Sequence, residues 1–355
     1  MIDNLIKILH IIIIWQSFFF GIVLLHSKFR KKKSNVFLAL ILLVIGVQFS
    51  LLQSASEKQL GTLLNSTLNM GFLYGPLLFL YVRSLLRVDD LFMKYDWLHF
   101  IPTLVIFISL VELDAVVILV FDYARLTSIL TYNILGIIEI YRYRKAIIQI
   151  SSRIIGTEEL NWLITLLIIT IYNAVMSVFS VIFQQFFLQV LVLFGVFAFV
   201  QLILYLGVKR PSYFRKLSKS DFEITHSTDS AKENTSSSYS ITDLELLANR
   251  VNGYVEKTEI YKNSDLDIST LAANLEVHPK MLSQSLNKVL KKNFSEYINS
   301  YRIEESKELL KTASSNNLNI KDVMYDVGFT SRSVFNTLFK KRTGMTPSEY
   351  RNEFN

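Results

Sequence analysis

The 355-residue sequence contains no cysteine, which excludes disulfides, Cys-ligated zinc and thiol catalysis. Its five histidines, His10, His26, His99, His226 and His278, lie too far apart to give metal-ligand spacing. No set of convergent carboxylates and no Ser–His pair at membrane depth stands out, so neither an enzyme nor a cofactor is expected. Proline is scarce: Pro76, Pro102, Pro211, Pro279 and Pro347 are the five. Positive charge is missing where it would be most telling. The chain carries a formal net charge of +7, yet residues 241–355 hold 16 Lys/Arg against 15 Asp/Glu. The excess lies in the first 240 residues, mostly in loops between apolar runs. Membrane topology explains it better than a polyanionic partner does.

What is present divides the chain, whose length suggests two or three domains. Up to about Gly207 it is dominated by runs of Ile, Leu, Val and Phe, and beyond Lys209 such runs stop. Crossing a bilayer takes roughly 20 apolar residues per helix. Seven spans are expected near Leu5–Leu25, Asn35–Leu52, Thr67–Leu86, Trp97–Leu113, Ala124–Tyr143, Leu160–Phe183 and Phe186–Leu206. The fifth has the least definite start, because Asp122 and Arg125 separate Ala115–Phe121 from the rest. The first is expected to be a retained helix, not a cleaved leader. Met1-Ile2-Asp3-Asn4 lacks positive charge, and Lys28-Phe29-Arg30-Lys31-Lys32-Lys33 follows as a stop-transfer pattern.

Lys and Arg concentrate in the loops after spans one, three, five and seven, for example Arg87 and Lys94, or Arg142, Arg144, Lys145 and Arg153. The positive-inside rule then puts the N-terminus outside and the C-terminus in the cytoplasm. Arg83, Glu112, Asp114 and Glu139 sit near span ends, where snorkelling accounts for them, while Asn133, Asn173 and Gln189 lie deeper. Pro76 and Pro102 are expected to kink their helices. Pro211 ends the seventh span, and the serine-rich stretch within 211–240 is too polar to fold alone and reads as a flexible cytoplasmic linker.

The remainder, 241–355, carries a different pattern. Leu244, Leu247, Ala248, Val251 and Val255 repeat at helical spacing. Then come two short helix pairs. The first spans about 268–290: Ile268 to Leu275, a Glu276-Val277-His278 turn, and a second helix opened by Pro279. The second spans about 320–342: Ile320 to Val327, a Gly328 cap, a Phe329-Thr330 turn, Ser331 as N-cap and a helix from Arg332 to Arg342. A helix opened by Phe294 links them and runs to about Leu310.

Residues 260–351 closely resemble the DNA-binding domain of the AraC/XylS family of bacterial regulators. The resemblance is carried by Gly328-Phe329, Ser331, Ser333, Phe335, Phe339-Lys340, Gly344, Thr346-Pro347 and Tyr350-Arg351. Leu271-Ala272, Val277-His278-Pro279, Leu282-Ser283 and the Phe294 to Arg302 segment add to it. One departure is Val323-Met324, where many members have Ile-Ala; the flexible Met implies repacking within the same fold. The family implies that the second helix of each unit enters a major groove, the two grooves lying about 34 Å apart along the duplex. Lys280, Ser283, Gln284 and Asn287 would face one groove, and Ser331, Arg332, Ser333, Asn336 and Thr337 the next. Lys288, Lys291, Lys340 and Lys341 would meet phosphates. Arg332 is the candidate for guanine and Asn336 for adenine.

The expectation is therefore an all-α protein: a seven-helix transmembrane bundle over 1–210, a linker over 211–240 and an AraC-type double helix-turn-helix domain over 241–355. It would be a sequence-specific transcription regulator of a bacterial cytoplasmic membrane, sensing an unidentified signal. Its partners would be double-stranded DNA, the lipid bilayer, the signal or ligand, a second copy of the chain as a homodimer, and RNA polymerase. A transporter or channel carrying a regulatory DNA-binding tail is the alternative, for which repeats among the spans would argue.

Overall fold

The computed structural model describes residues 2–26, 34–58, 70–87, 94–108, 115–152, 157–209, 221, 239–312 and 319–353. Among these, regular structure is helical throughout, apart from an isolated bridge between Ser151 and Asp267. The chain forms two compact units. The first comprises Met1–Tyr141 and Asn161–Lys216, the second Arg142–Leu160 and Leu217–Asn355. The expected linker falls largely outside the described residues, as do Glu112, Asp114 and Lys28 to Lys33.

The first unit contains α1 (Ile2–Leu25), α2 (Asn35–Lys58), α3 (Gly71–Leu86), a 3-10 turn (Asp96–Phe100), α4 (Ile101–Ile108), most of α5 (Ala115–Ile150), most of α6 (Thr157–Phe183) and α7 (Phe186–Lys209). Among the described residues, four stretches are long and apolar enough to cross a membrane: Ile6–Leu25, Asn35–Ser54, Leu160–Phe183 and Phe187–Tyr205. The shorter Gly71–Leu86 is also apolar. Large apolar side chains point outward along these helices and along α5, among them Trp15, Phe19, Ile22, Ile134, Ile168 and Phe187. In water such a surface would drive association; against lipid tails it is at equilibrium.

The interior of this unit is close-packed. Gly21 meets Leu43 and Gly46 meets the Phe18 ring, so α1 and α2 approach closely. Gln201 on α7 donates to Gln16 on α1 at 2.7 Å. Buried charges are paired, as an apolar interior demands. Arg83 holds the nearly buried Asp96 through two bonds, one of 2.9 Å, and Arg87 holds Glu139 at 2.7 Å.

Two expectations change. Asp122 and Arg125 do not break a helix: α5 runs unbroken past both, and they pair with each other one turn apart at 2.5 Å. Pro102 does not kink a helix either. It stands in the first turn of α4, where a missing amide donor leaves no bond unmade. Pro76, by contrast, lies inside α3.

The second unit's C-terminal body contains α8 (Ile241–Thr258), α9 (Ile268–Asn274), α10 (Pro279–Lys288), α11 (Phe294–Lys311), α12 (Ile320–Asp326), α13 (Arg332–Thr343) and α14 (Pro347–Glu353). Most of these helices start where a side chain can accept from the first amides. Ser240, Asp267, His278, Asn319 and Ser331 each cap one, and Asn293 with Glu296 forms a full capping box on α11. The periodic residues Leu244, Leu247, Ala248, Val251 and Val255 are all buried. Ile303, Leu310, Val323, Met324, Val327, Phe329, Val334, Phe335 and Phe339 form one core around the second helix pair. Met324 is part of that core, so the departure from the family pattern is absorbed by packing. Val289 and Leu290 lie just beyond the end of α10 and are half-buried.

Candidate DNA-binding surface

The second helix pair is built to hold α13 rigidly. Gly328 adopts φ +94°, and a β-carbon there would lie 2.6 Å from the Lys262 carbonyl oxygen. Only glycine allows both that conformation and that approach. The turn then delivers Phe329 into the core, where it packs against Phe335 at 5.2 Å between ring centroids. Phe335 and Phe339 are fully buried, so the opposite face of α13 is turned outward. Arg332, Ser333, Thr337, Lys340 and Lys341 are exposed and Asn336 is half-buried. Ser331 is occupied as the N-cap, accepting from the Val334 amide. Thr337 returns its hydroxyl to the Ser333 carbonyl at 2.8 Å. Arg342 leaves this face and pairs with Glu304 on α11 at 3.2 Å, alongside Lys307, which holds the Glu304 carboxyl below its ordinary range.

The first pair is arranged differently. Leu282 and Leu286 anchor α10 to the core, and Ser285 donates to the Leu244 carbonyl of α8 at 2.7 Å. Lys280, Asn287 and Lys288 are half-buried and Lys291 is exposed. Ser283 and Gln284, expected on the outward face, are 1% and 5% exposed. The reason is partly that Asn287 folds back over this face: its amide donates to the Ser283 carbonyl at 2.8 Å and to Gln149 Oε1 at 3.1 Å. The segment Arg142–Leu160, which belongs to this unit, therefore touches α10 directly.

The same segment completes a buried cage around Arg302 on α11, which is 1% exposed. Its five N–H donors match five acceptors. Nε donates to the Tyr261 carbonyl at 2.6 Å, and Nη2 to the Asn263 carbonyl at 2.7 Å and Ser152 Oγ at 3.0 Å. Nη1 donates to Asn299 Oδ1 at 3.2 Å and the Ser152 carbonyl at 3.3 Å. Burial lowers the pKa of Arg302 to about 10, a shift opposed by the Asp265 charge, so the group stays charged at neutral pH. Sequence reading placed Arg302 in the family match but gave no reason to single out Gln149 or Ser152. They are ordinary polar residues between two apolar runs, and only the folded chain brings them here.

The domain thus consists of two helix pairs, each ending in a capped helix, joined by one linking helix. One family model, described as a helix-turn-helix domain, matches residues 271–353. This part of the chain is a helix-turn-helix domain. Among curated relatives, the HTH-type transcriptional regulator YijO of Escherichia coli is 35% identical over 91 residues, 26% of this chain and 31% of that protein. An HTH-type transcriptional regulator from the cgkA 5′ region of Pseudoalteromonas carrageenovora is 31% identical over 91 residues, 26% of this chain and 52% of that protein. The TCP pilus virulence regulatory protein of Vibrio cholerae is 46% identical over 57 residues, 16% of this chain and 20% of that protein. The chain thus spans about a third to a half of the first two relatives, and the similarity rests on the helix-turn-helix domain. No solved structure matches the chain. Among the described residues no cluster of three or more His, Asp or Glu side chains could hold a metal ion.

Proposed function

We propose that this chain is a membrane-anchored, sequence-specific transcription regulator of a bacterial cytoplasmic membrane. The observation that carries this reading is the joining, in one chain, of a helix-turn-helix domain to a unit with four outward-apolar helices of membrane-spanning length. Arg332, Ser333, Asn336 and Thr337 on α13 read bases in one major groove, and Lys340 and Lys341 meet flanking phosphates. Lys280 and Asn287 on α10 face the neighbouring groove, with Lys288 and Lys291 on the backbone, and the buried Ser283 and Gln284 read bases there only once that face is uncovered. Ser331 positions α13 by capping it and meets a flanking phosphate. The membrane unit, taken as seven spans with the N-terminus outside, receives a signal and anchors the domain over 241–355 on the cytoplasmic face through the 211–240 linker.

The test uses the full chain in lipid nanodiscs, footprinted on a genomic fragment library at several salt concentrations. Protection of defined sequences, with log affinity falling linearly in log salt, supports the reading. Featureless binding, or none at low salt, overturns it. C-terminal reporter fusions active only in the cytoplasm support the orientation; activity outside overturns it.

A further inference from the structure

We propose that the membrane unit holds a site for a compact carboxylic acid bearing an apolar body and one N–H or O–H donor. A cavity of about 240 Å³ lies among α2, α3, α5, α6 and α7, slightly smaller than the roughly 300–1,000 Å³ typical of drug-sized ligands. Its walls are largely apolar, as at Phe49, Val196 and Phe199, yet Arg125 and Asn173 also line it. Arg125 is 8% exposed. Its partners among the described residues, Ser177 Oγ at 2.8 Å and Asp122 Oδ1 at 2.5 Å, both engage Nη2. Nε–H and Nη1 remain as separate donors, each able to give one carboxylate oxygen a charge-assisted bond. Asn173 Oδ1 is buried with no hydrogen-bond partner, an acceptor waiting for a donor.

Two glycines make room for these groups. A β-carbon at Gly71 would lie 2.3 Å from Arg125 Cδ, and one at Gly195 would lie 2.6 Å from Asn173 Oδ1. Two helices thus omit side chains where two polar groups reach the cavity. A carboxylate on Arg125, a donor on Asn173 and an apolar body against Val196 and Phe199 match the two polar groups and the apolar wall of the cavity. An apolar amino acid and a 2-hydroxy acid share this chemistry.

This site gives the sensing role a ligand class and rests on that reading for its meaning, but its test stands apart. The chain lacks cysteine, so Ala174→Cys, on the cavity wall, makes a single reactive thiol. The full-length variant in nanodiscs is labelled with N-ethylmaleimide in the presence of leucine, 2-hydroxy-4-methylpentanoate, 4-methylpentanoate or 3-methylbutanol. Leucine or the hydroxy acid should slow labelling at least tenfold; which of them does so identifies the donor. The acid without a donor should need about tenfold higher concentration, and the alcohol should give no protection. Arg125→Gln should abolish protection, and Val196→Phe, which fills the cavity and leaves the polar groups intact, should do the same. No labelling at all, no protection by any probe, equal protection by the alcohol or the donorless acid, or protection persisting in Val196→Phe overturns the site. Duplex binding by the same nanodiscs reports separately on the regulator reading.

A different set of contacts carries a second inference: we infer that Gln149 to Ser152 hold the first reading helix in a masked state. Gln149 occupies the amide of Asn287, Ser283 beneath it is buried, and Ser152 supplies two of the five acceptors around Arg302. Ser151 and Ser152 also bond across to Asp267 and Leu266 at the start of α9. Meanwhile Arg332, Ser333 and Thr337 on the second reading helix are exposed. One groove reader is presented and the other is covered by the segment that follows Tyr141.

The full chain carrying Gln149→Ala and Ser152→Ala should bind duplex about tenfold more tightly, with its footprint lengthened by one helical turn. A Gln149→Cys, Asn287→Cys variant bridged by a short bis-maleimide should give the shorter footprint, and the unbridged form the longer one. A footprint of unchanged length in both experiments overturns the masking.

Discussion

Gly328→Ala should destabilise the second helix pair far more than Gly344→Ala does. Both glycines have left-handed backbones, φ +94° and +83°. An L side chain in that region costs about 1–2 kcal/mol, the whole expected effect at Gly344, where nothing lies within 4 Å of a new β-carbon. At Gly328 the β-carbon would meet the Lys262 oxygen at 2.6 Å and the Tyr261 oxygen at 2.9 Å. Both are backbone atoms that cannot swing aside, and the Tyr261 oxygen already accepts from Arg302. Overpacking of this kind adds roughly 1–3 kcal/mol, for a total of about 2–5 kcal/mol. No tryptophan lies within this region to report on it, since Trp15, Trp97 and Trp162 all precede it. Hydrogen exchange of peptides covering 320–343, read by mass spectrometry on the full chain, is the suitable assay. Protection at Gly328→Ala should fall by a factor of ten or more beyond that at Gly344→Ala, each tenfold being about 1.4 kcal/mol. Equal losses at both sites would refute the role of the close approach.

Phe335→Ala, at a fully buried ring, should cost about 3–5 kcal/mol and abolish duplex binding by unfolding the pair, as exchange on the same peptides will show. Arg332→Ala, on an exposed face, should leave exchange unchanged but weaken specific binding by about 1–3 kcal/mol and relax one base position; uniform weakening on all sequences would reassign it to a phosphate. Glu304 is held low by Lys307 and Arg342, so its ion pairs contribute above its unfolded pKa and fade as pH falls through the still lower folded value. With half-exposed partners that contribution is under about 1 kcal/mol, and Glu304→Gln should remove the corresponding acid-side slope in stability.

The helices of the C-terminal body were legible because their signals are local. A 3.6-residue stripe in α8, Pro279 at the start of α10 and the Ser331 cap each act within a turn or two. The inward set of α13, Val334, Phe335 and Phe339, follows from the same periodicity, and so does its outward face. The burial of Ser283 and Gln284 was not legible. It depends on α8 and on Gln149, 138 residues from its partner Asn287, and periodicity carries no information about such pairs. Asp122 and Arg125 misled for a related reason. Read singly, two charges in an apolar run suggest a break; paired one turn apart, they are compatible with an unbroken helix.

The most direct measurement of the central claim is co-flotation of duplex DNA with vesicles carrying the full chain. On a density gradient, a fragment from the footprinted library should rise with the vesicles at low salt and stay behind at high salt. It should also survive an alkaline carbonate wash of the vesicles before DNA is added. DNA that remains at the bottom at every salt concentration, or a protein that carbonate strips from the lipid, would contradict a membrane-embedded reader of the double helix.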